Sequence, residues 1–353
     1  MSERDFENRA AALRARHDAL AASQPRLRAR NAAQALGVSE AEWVAAGCGG
    51  LRATALRGAP DALAPQAIFR ELGSLGEVMA LTRNDWCVHE RHGRYEDIQA
   101  EGPVGLVLGP DIDLRVFFSC WKSAWAVEDE GRQSLQFFDG AGVAVHKVYR
   151  TDATDAAAWD ALVSRFAAPA QWPEVQPYAP SDEAQRVADS AGWREAWLAM
   201  QDTHEFFPLL RKFKVSRLAA LAAAGEDLAQ RVPADSVERM LESAAASGLS
   251  IMCFVGNRGM IQIHTGPVHK LQRTGPWYNV LDPKFNLHLN TTAIVSAWVV
   301  NKPTSDGWVT SLELYAGTGD LIAQFFGERK PGKPELRAWR ELMLGLCAAP
   351  LAA

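Results

Sequence analysis

The chain has 353 residues, of which 48% are hydrophobic and 22% charged, and its formal net charge is −5. This composition is typical of a globular protein with a sizeable core, and the length suits two ordinary domains or one large bilobed one. The negative charge argues against a nucleic-acid-binding protein, because a phosphate-binding surface needs concentrated positive charge.

Helical patterns dominate the start of the chain. Residues 1–35 are rich in Ala and Arg, and Ser39-Glu-Ala-Glu42 has the spacing of a capping box that opens a short helix to about Ala46. A further helix is predicted from Ala59-Pro60 to about Leu75. We therefore expect helices to precede the first strands.

Residues 77–149 change to short runs of strand character. Turn residues such as Gly102-Pro103 and Asp139-Gly-Ala-Gly142 separate these runs. Because the connections are short, they predict an antiparallel meander and not βαβ units. A helix over Asp152–Phe166 and a Pro-rich linker over residues 167–180 are predicted to follow.

The second half of the sequence repeats the first at a nearly constant offset. Ser123-Ala-Trp-Ala-Val reappears 173 positions later as Ser296-Ala-Trp-Val-Val. Ser134-Leu-Gln-Phe-Phe reappears 177 positions later as Ser311-Leu-Glu-Leu-Tyr, so about four residues are inserted, near Lys302-Pro-Thr-Ser. We predict an α+β fold made by tandem duplication, with a large antiparallel sheet and flanking helices in each half. The predicted domains are residues 1–180 and 181–353.

A histidine among aromatic residues lies where the two copies join. If this segment is one helix, its spacing places five residues on one face: Trp193, Trp197, Met200, His204 and Phe207. Pro208 has no N–H for the His204 carbonyl, so the helix is expected to kink or stop just past the histidine. Such an imidazole is either a packed core residue or an axial ligand of a flat metal cofactor. A lone histidine on an apolar face is more often a core residue, and this segment alone leaves both interpretations open.

Cationic residues elsewhere could complete a site for an acidic ligand. Strand alternation places Arg115 on the same face as Phe117 and opposite its apolar neighbours, although an exposed or salt-bridged strand arginine is the commoner interpretation. Arg217 follows the His204 segment and Lys302 lies in the predicted inserted turn, so both could meet carboxylates.

The cysteines and the N-terminus indicate the compartment. Five scattered cysteines form no C-x-x-C pair, which favours a reducing compartment and gives no zinc or iron–sulfur framework. The sequence has no transmembrane run, and its first residues carry acids and lack the apolar core of a signal peptide. We expect a cytoplasmic protein of bacterial type that is not embedded in a membrane.

Several long, uncommon motifs are distributed over the two halves of the sequence. They are Val88-His-Glu, Leu114-Arg-Val-Phe, Ser134-Leu-Gln-Phe-Phe-Asp, Asp202-Thr-His-Glu-Phe-Phe-Pro-Leu-Leu-Arg, Phe254-Val-Gly-Asn-Arg-Gly and Lys302-Pro-Thr-Ser-Asp-Gly. Together they resemble the hemin-degrading factor family, the HemS/ChuS/PhuS-type cytoplasmic haem proteins of bacterial haem uptake, over about residues 25–345. The resemblance implies two similar halves with haem b, iron protoporphyrin IX, in the cleft between them.

The resemblance also implies roles for individual residues. His204 corresponds to the proximal ligand of the haem iron. Arg115 corresponds to the distal arginine, which would be the catalytic residue of an enzyme, and Phe117 to an aromatic residue near the same haem face. The groups that meet the haem propionates correspond to Arg217, Lys302 and Gln324. His89 matches a histidine that would form a second haem site.

Two functions follow from the resemblance. The first is a haem-binding protein of iron acquisition that receives imported haem and delivers or sequesters it, with a haem oxygenase or the inner-membrane haem importer as further partners. The second is an enzyme that opens the porphyrin ring and releases iron with external electrons. No flavin or nicotinamide motif is evident, which favours the carrier. A duplicated scaffold without a cofactor is a third alternative.

Overall fold

The computed structural model describes residues 2–25, 27–57, 64–330 and 332–353. The chain divides into two compact units, and each unit includes one short segment from the other half of the sequence. The first unit is Met1–Arg83, Glu90–Ala179 and Gly256–Gln262. The second unit is Asn84–His89, Pro180–Val255 and Ile263–Ala353. Within the described ranges, none of the helices combines the length and the apolar character that crossing a membrane requires.

The first half of the chain has the predicted order of helices, strands and a closing helix. Its helices are α1 (Glu3–Ser23), α2 (Ala29–Ala35), α3 (Glu40–Ala46), α4 (Ala64–Arg70) and α5 (Ala156–Phe166). Its strands are β1 (Arg52–Leu56), β2 (Gly76–Arg83), β3 (Cys87–Gly93), β4 (Ile98–Gln99), β5 (Val104–Leu108), β6 (Asp113–Phe117), β7 (Trp121–Asp129), β8 (Arg132–Asp139) and β9 (Ala144–Thr154).

Local signals explain most of these boundaries. The capping box predicted at Ser39 is present, because its Oγ accepts the N–H of Glu42 while the Glu42 carboxylate accepts the N–H of Ser39. β9 runs to Thr154, so the helix predicted from Asp152 begins only at Ala156. The helix start predicted at Ala59-Pro60 lies outside the described residues.

The second half repeats this order. Its helices are α6 (Ser190–Leu198), α7 (Phe206–Phe213), α8 (Arg217–Ala222), α9 (Ser236–Ser247) and α10 (Arg337–Leu344). Its strands are β10 (Ala229–Val232), β11 (Ile251–Gly256), β12 (Met260–Gly266), β13 (Leu271–Thr274), β14 (Trp277–Leu281), β15 (Phe285–Asn290), β16 (Ser296–Thr304), β17 (Gly307–Tyr315) and β18 (Leu321–Gly327).

Strand pairing confirms the tandem duplication. In the first unit, β1, β7, β8, β9 and β2 are neighbours in that order, all antiparallel, and β4, β5 and β6 form a meander. In the second unit, β10, β16, β17, β18 and β11 have the same order, and β13, β14 and β15 form the matching meander. Each strand therefore has its counterpart nine strands later in the chain. The predicted fold class, α+β with antiparallel sheets and flanking helices, is correct.

The inserted residues lengthen a hairpin and do not enlarge its turn. β7 and β8 pair from Ser123↔Phe138 to Asp129↔Arg132, whereas β16 and β17 pair from Ser296↔Tyr315 to Thr304↔Gly307. Each strand gains two residues, which preserves the alternation of its faces. Lys302 consequently lies in β16 opposite Val309, so its predicted position in a turn is wrong.

The aromatic residues before His204 belong to a hydrophobic core of the second unit. Trp193, Trp197 and Met200 are buried, and they pack with Phe206 and Tyr315. This core lies under α7 and α8, and the other large core of the unit includes Trp339 of α10. Two buried residues of this core, Met200 and Phe206, therefore flank His204 in the chain.

Candidate functional site

The His204 segment consists of two helices joined by a turn. α6 ends at Leu198, a 3-10 turn covers Thr203–Glu205, and α7 begins at Phe206. Pro208 lies in the first turn of α7, where its missing N–H removes no helical hydrogen bond. The predicted single helix ending past the histidine is wrong, because the chain leaves the helix before His204 and the proline belongs to the start of the next one.

This break removes His204 and Phe207 from the apolar stripe. Trp197 and Met200 remain buried, whereas Phe207 is exposed and the His204 side chain is 91% exposed. An imidazole in that position contributes no packing to the core. The interpretation of His204 as a core residue is therefore excluded.

Asp202 orients the His204 ring. Its Oδ1 accepts the backbone N–H of His204 at 2.8 Å and lies 2.6 Å from Nδ1 of the imidazole. These hydrogen bonds, led by the backbone one, hold the pKa of Asp202 below its ordinary value. When Nδ1–H donates to the carboxylate, the neutral ring carries its lone pair on Nε2, which is the arrangement of a metal-ligating histidine.

Phe206 connects the His204 turn to two cations. Its buried ring packs edge-on against Trp197, with the ring centroids 4.9 Å apart. The guanidinium carbon of Arg217 lies 4.9 Å from the Phe206 centroid, and Nζ of Lys302 lies 4.6 Å from it. Such cation–π contacts fix both charges close to the segment that carries the histidine.

Arg217, Lys302 and Gln324 converge on one buried carboxylate, that of Glu313. Arg217 donates through Nε to Oε2 at 2.9 Å and through Nη2 to Oε1 at 2.7 Å. Lys302 Nζ and Gln324 Nε2 each donate to Oε1 at 2.9 Å. The structure therefore brings together the three residues predicted for the propionates. We call them, with Glu313, the Glu313 cluster.

Burial and charge act in opposite directions in the Glu313 cluster. Burial alone would raise the pKa of Glu313, but the Arg217 and Lys302 cations hold it well below its usual range. Burial lowers the pKa of Lys302 to about 8, although Glu313 attracts its proton. The Lys302 side chain is 5% exposed and that of Arg217 is 21% exposed, so Arg217 is the cation that reaches the surface.

Arg115 and Phe117 belong to the first unit. Leu114 and Val116 of β6 are buried while Arg115 and Phe117 are partly exposed, so the predicted division of faces is correct. Arg115 forms an ion pair with Asp113 and donates to the Leu114 carbonyl at 3.1 Å. Arg115 is thus a salt-bridged strand residue here, and its distal role remains a prediction.

His89 is fully buried in β3, with its ring centroid 4.9 Å from that of Phe285. A haem ligand must present its nitrogen at a surface or a cavity. A second haem site at His89 stays a prediction, and it would require the ring to leave the core.

The exposed His204 imidazole has a carboxylate on Nδ1, and Phe206, two positions later, packs against two cations. This arrangement on a duplicated α+β scaffold is compatible with a ligand that carries both a metal ion and acidic groups. The chain belongs to the haemin-degrading HemS.ChuX domain family, whose model matches residues 37–166 and 214–346.

Similar proteins cover nearly the whole chain. Hemin transport protein HmuS of Yersinia pestis is 41% identical over 338 residues, which are 94% of this chain and 96% of HmuS. The crystal structure of apo-PhuS, a heme-binding protein from Pseudomonas aeruginosa, is 47% identical with a TM-score of 0.89 and covers 96% of this chain and 100% of its own. The heme degrading enzyme ChuS of Escherichia coli O157:H7 is 37% identical with a TM-score of 0.88 and covers 97% and 99% of the two chains.

Sequence reasoning missed two acidic residues of the site. Asp202 stands two positions before His204, the spacing at which an Asp side chain caps its own turn, so a signal was present. The signal for Glu313 was weaker. It aligns with Gln136 in the repeat, so the only sign was that a carboxylate in the second copy replaces an amide in the first. Its partners come from α8, β16 and β18, and only the fold joins them.

Proposed function

We propose that this protein binds haem as part of bacterial haem uptake and iron acquisition, receiving imported haem in the cytoplasm and delivering or sequestering it. The observation that carries the proposal is the exposed His204 imidazole with Asp202 on its Nδ1. Membership in the family and the hemin transport protein HmuS among its relatives support the same function.

The residues of the second unit suit the chemistry of haem. Haem is a flat, mostly apolar disc with two carboxylates and an iron that takes an axial base. His204 would supply the axial nitrogen, exposed Phe207 an apolar surface, and Arg217 and Gln324 hydrogen bonds to a propionate. Lys302 would act mainly through its charge, because its ammonium is buried on Glu313.

Arg115 and Phe117 complete the proposed set of haem-binding residues. An arginine side chain is a donor without an acceptor, so Arg115 would hold a small molecule at the open position of the iron by hydrogen bonding and would not ligate the iron. Phe117 would pack near the same haem face. These two roles rest on the resemblance of β6 to the family motif.

The experiment is a haem titration of the purified protein followed by its Soret band. Wild type is expected to saturate near one haem per chain, and His204→Ala is expected to lose the band of the histidine-bound form and to bind far more weakly. His269→Ala is the matched control, because His269 is also exposed in the second unit. An unchanged spectrum in His204→Ala would remove His204 from the site.

A second candidate function is oxidative opening of the porphyrin ring with electrons from outside the protein. The observation that favours it is the similarity to ChuS, which is described as a heme degrading enzyme. Ascorbate under air, with catalase present, is the test. Catalase-resistant loss of the Soret band with a linear tetrapyrrole product would establish the enzyme, while a stable band would leave a carrier.

For Arg115, the expected outcome is a separation of binding from reactivity. Arg115→Ala should bind haem at near wild-type strength, because the axial base stays, and should alter the spectrum or the rate of the ascorbate reaction. Arg94→Ala is the control, since Arg94 also pairs with a carboxylate of the first unit. Wild-type spectra and rates in Arg115→Ala would contradict the distal role.

The delivery partner is also part of the proposal. A haem oxygenase or the inner-membrane haem importer would exchange haem with the protein. Transfer from the haem-loaded protein to a purified haem oxygenase, at a rate above that of spontaneous haem loss, would support a direct exchange.

A further inference from the structure

Glu313 accepts hydrogen bonds from all three residues that we propose for the carboxylates of the ligand. The three residues that we propose for the propionates are Arg217, Lys302 and Gln324, and each already donates to Glu313. The apparent anion site is therefore partly filled by a carboxylate of the protein itself.

The carboxylate is saturated and fully buried. Besides the three residues of the cluster, Ser311 Oγ donates to Oε1 at 3.0 Å and the Tyr315 hydroxyl donates to Oε2 at 2.5 Å. Glu313 has no exposed surface. Such a group cannot leave its donors without a large desolvation cost, so it stays in place when a ligand arrives.

The charge count follows from this arrangement. Arg217 and Lys302 carry one positive charge each and Glu313 carries one negative charge, which leaves one net positive charge. Without Glu313, an arriving ligand carboxylate would meet two adjacent cations, the buried Lys302 and the partly exposed Arg217. With it, only one unit of charge is left to attract that carboxylate.

We propose that Glu313 is a specificity-determining residue of the haem site, an internal carboxylate that limits how tightly the site holds the carboxylates of its ligand. The inference rests on the proposed function. Its consequence is that the protein without ligand has no uncompensated pair of neighbouring cations, while bound haem is held weakly enough at its carboxylates to be passed on.

The first unit contains an ion pair that connects a helix to its sheet. Glu40, which corresponds to Arg217 at the offset of 177 positions, connects α3 to β9 by pairing with Lys147 at 3.6 Å. Glu40 also pairs with Arg30 at 3.3 Å. If the Glu313 cluster only ties α8 to the sheet in the same way, its removal should change stability and leave ligand preference as it was.

The test compares haem with haem dimethyl ester, whose carboxylates are blocked. Four proteins are titrated at about pH 7, where Lys302 is mostly protonated: wild type, Glu313→Gln, Lys302→Met and the double variant. Their clusters carry net charges of +1, +2, 0 and +1, by the same count of one unit for each residue. The measured quantity is the ratio of the Kd for the ester to the Kd for haem.

The ratio is expected to follow the charge of the cluster. Glu313→Gln should raise it about tenfold, Lys302→Met should lower it about tenfold, and the double variant should return close to wild type. Glu335→Gln is the control, because Glu335 is a carboxylate of the same unit whose side chain is 9% exposed and paired with Arg340. It should lower stability and leave the ratio unchanged.

The outcomes separate the two proposals. Equal ratios in all four proteins, with haem still bound through His204, would overturn the inference about Glu313 alone. Absence of saturable, His204-dependent binding in wild type would overturn the proposed function. If Glu313→Gln does not fold, the double variant decides, because a ratio that stays as low as in Lys302→Met also overturns the inference.

Discussion

At the scale of single residues, Asp202 and His204 form a pair in which the carboxylate decides what the imidazole can do. Asp202 fixes the ring by two hydrogen bonds, one to the backbone and one to Nδ1. A carboxylate on the distant nitrogen of a ligating histidine raises its basicity and fixes its tautomer. On the proposed role of His204, the strength of its bond to the haem iron should therefore depend on Asp202 as well.

Asp202→Asn tests this dependence. We expect haem affinity to fall about tenfold to a hundredfold, since loss of such a partner commonly costs that much, and the reduction potential of bound iron to rise because the ligand becomes a weaker donor. Titration and spectroelectrochemistry are the measurements. Asp182→Asn, at another exposed position of the second unit, should change neither quantity.

The sequence identifies His204 as a candidate ligand but does not predict that its side chain is exposed. Periodicity cannot tell a helix from a helix that stops, and the five-residue stripe was compatible with either. Asp202 caps the turn at His204 and Pro208 opens α7, so local hydrogen bonding decided against the continuous helix. The choice of His204 as the ligand thus came from the family motif, and its role at the haem iron stays a prediction.

At the scale of elements, the contact of β18 with α10 depends on a glycine. A Cβ at Gly327 would lie 2.6 Å from Cβ and Cγ of Trp339, and Trp339 is buried with its indole N–H on the Thr310 carbonyl at 2.9 Å. The backbone of β18 at Gly327 therefore lies in direct contact with the Trp339 side chain of α10, with no space for a Cβ atom. No larger residue can be placed there without moving one of them.

Gly327→Ala is expected to lower the free energy of unfolding by about 1–3 kcal/mol because it overpacks this contact. Gly345→Ala is the matched control at the end of α10, where φ is −67° and the nearest atom to a new Cβ lies at 3.4 Å. It should change stability by no more than about 0.5 kcal/mol. Urea unfolding of both variants measures the difference, and equal midpoints would contradict the close approach.

The order and type of the elements were accessible from the sequence, whereas some strands were not. Alternation and turn residues predicted β2, β3 and β5 to β9, but not the short strand β1 (Arg52–Leu56). Its strand conformation follows from pairing with β7, a contact between residues 68 to 76 positions apart. Short edge strands of this kind owe their structure to their neighbours.

At the scale of the whole molecule, a buried histidine of the first unit makes folding depend on pH. Nδ1 of His146 lies 2.9 Å from the Thr82 hydroxyl and Nε2 lies 2.5 Å from that of Tyr95. Burial lowers the pKa of His146 to about 3, against a backbone hydrogen bond at Leu81 that raises it. The ring is therefore neutral in the folded protein.

Stability should fall as the pH drops from about 6.5, the ordinary pKa of histidine, towards 3. Over this range His146 is protonated in the unfolded chain but not in the folded protein. Each pH unit therefore lowers the free energy of unfolding by up to about 1.4 kcal/mol. Urea unfolding at about pH 7 and pH 5 measures the loss, and His146→Gln should reduce the difference by about 2 kcal/mol. An equal difference in both proteins would mean that His146 is protonated in the fold.

Because His204 is exposed, its effect on folding stability is separate from its proposed effect on ligand binding. Because its ring supplies no packing, replacing it should leave the folding free energy almost unchanged while altering the donor atom offered to a metal. Cysteine, methionine or tyrosine there would each select a different iron chemistry. On the proposed role of His204, substitution at this position is therefore expected to change the metal chemistry of the site without a measurable loss of folding free energy.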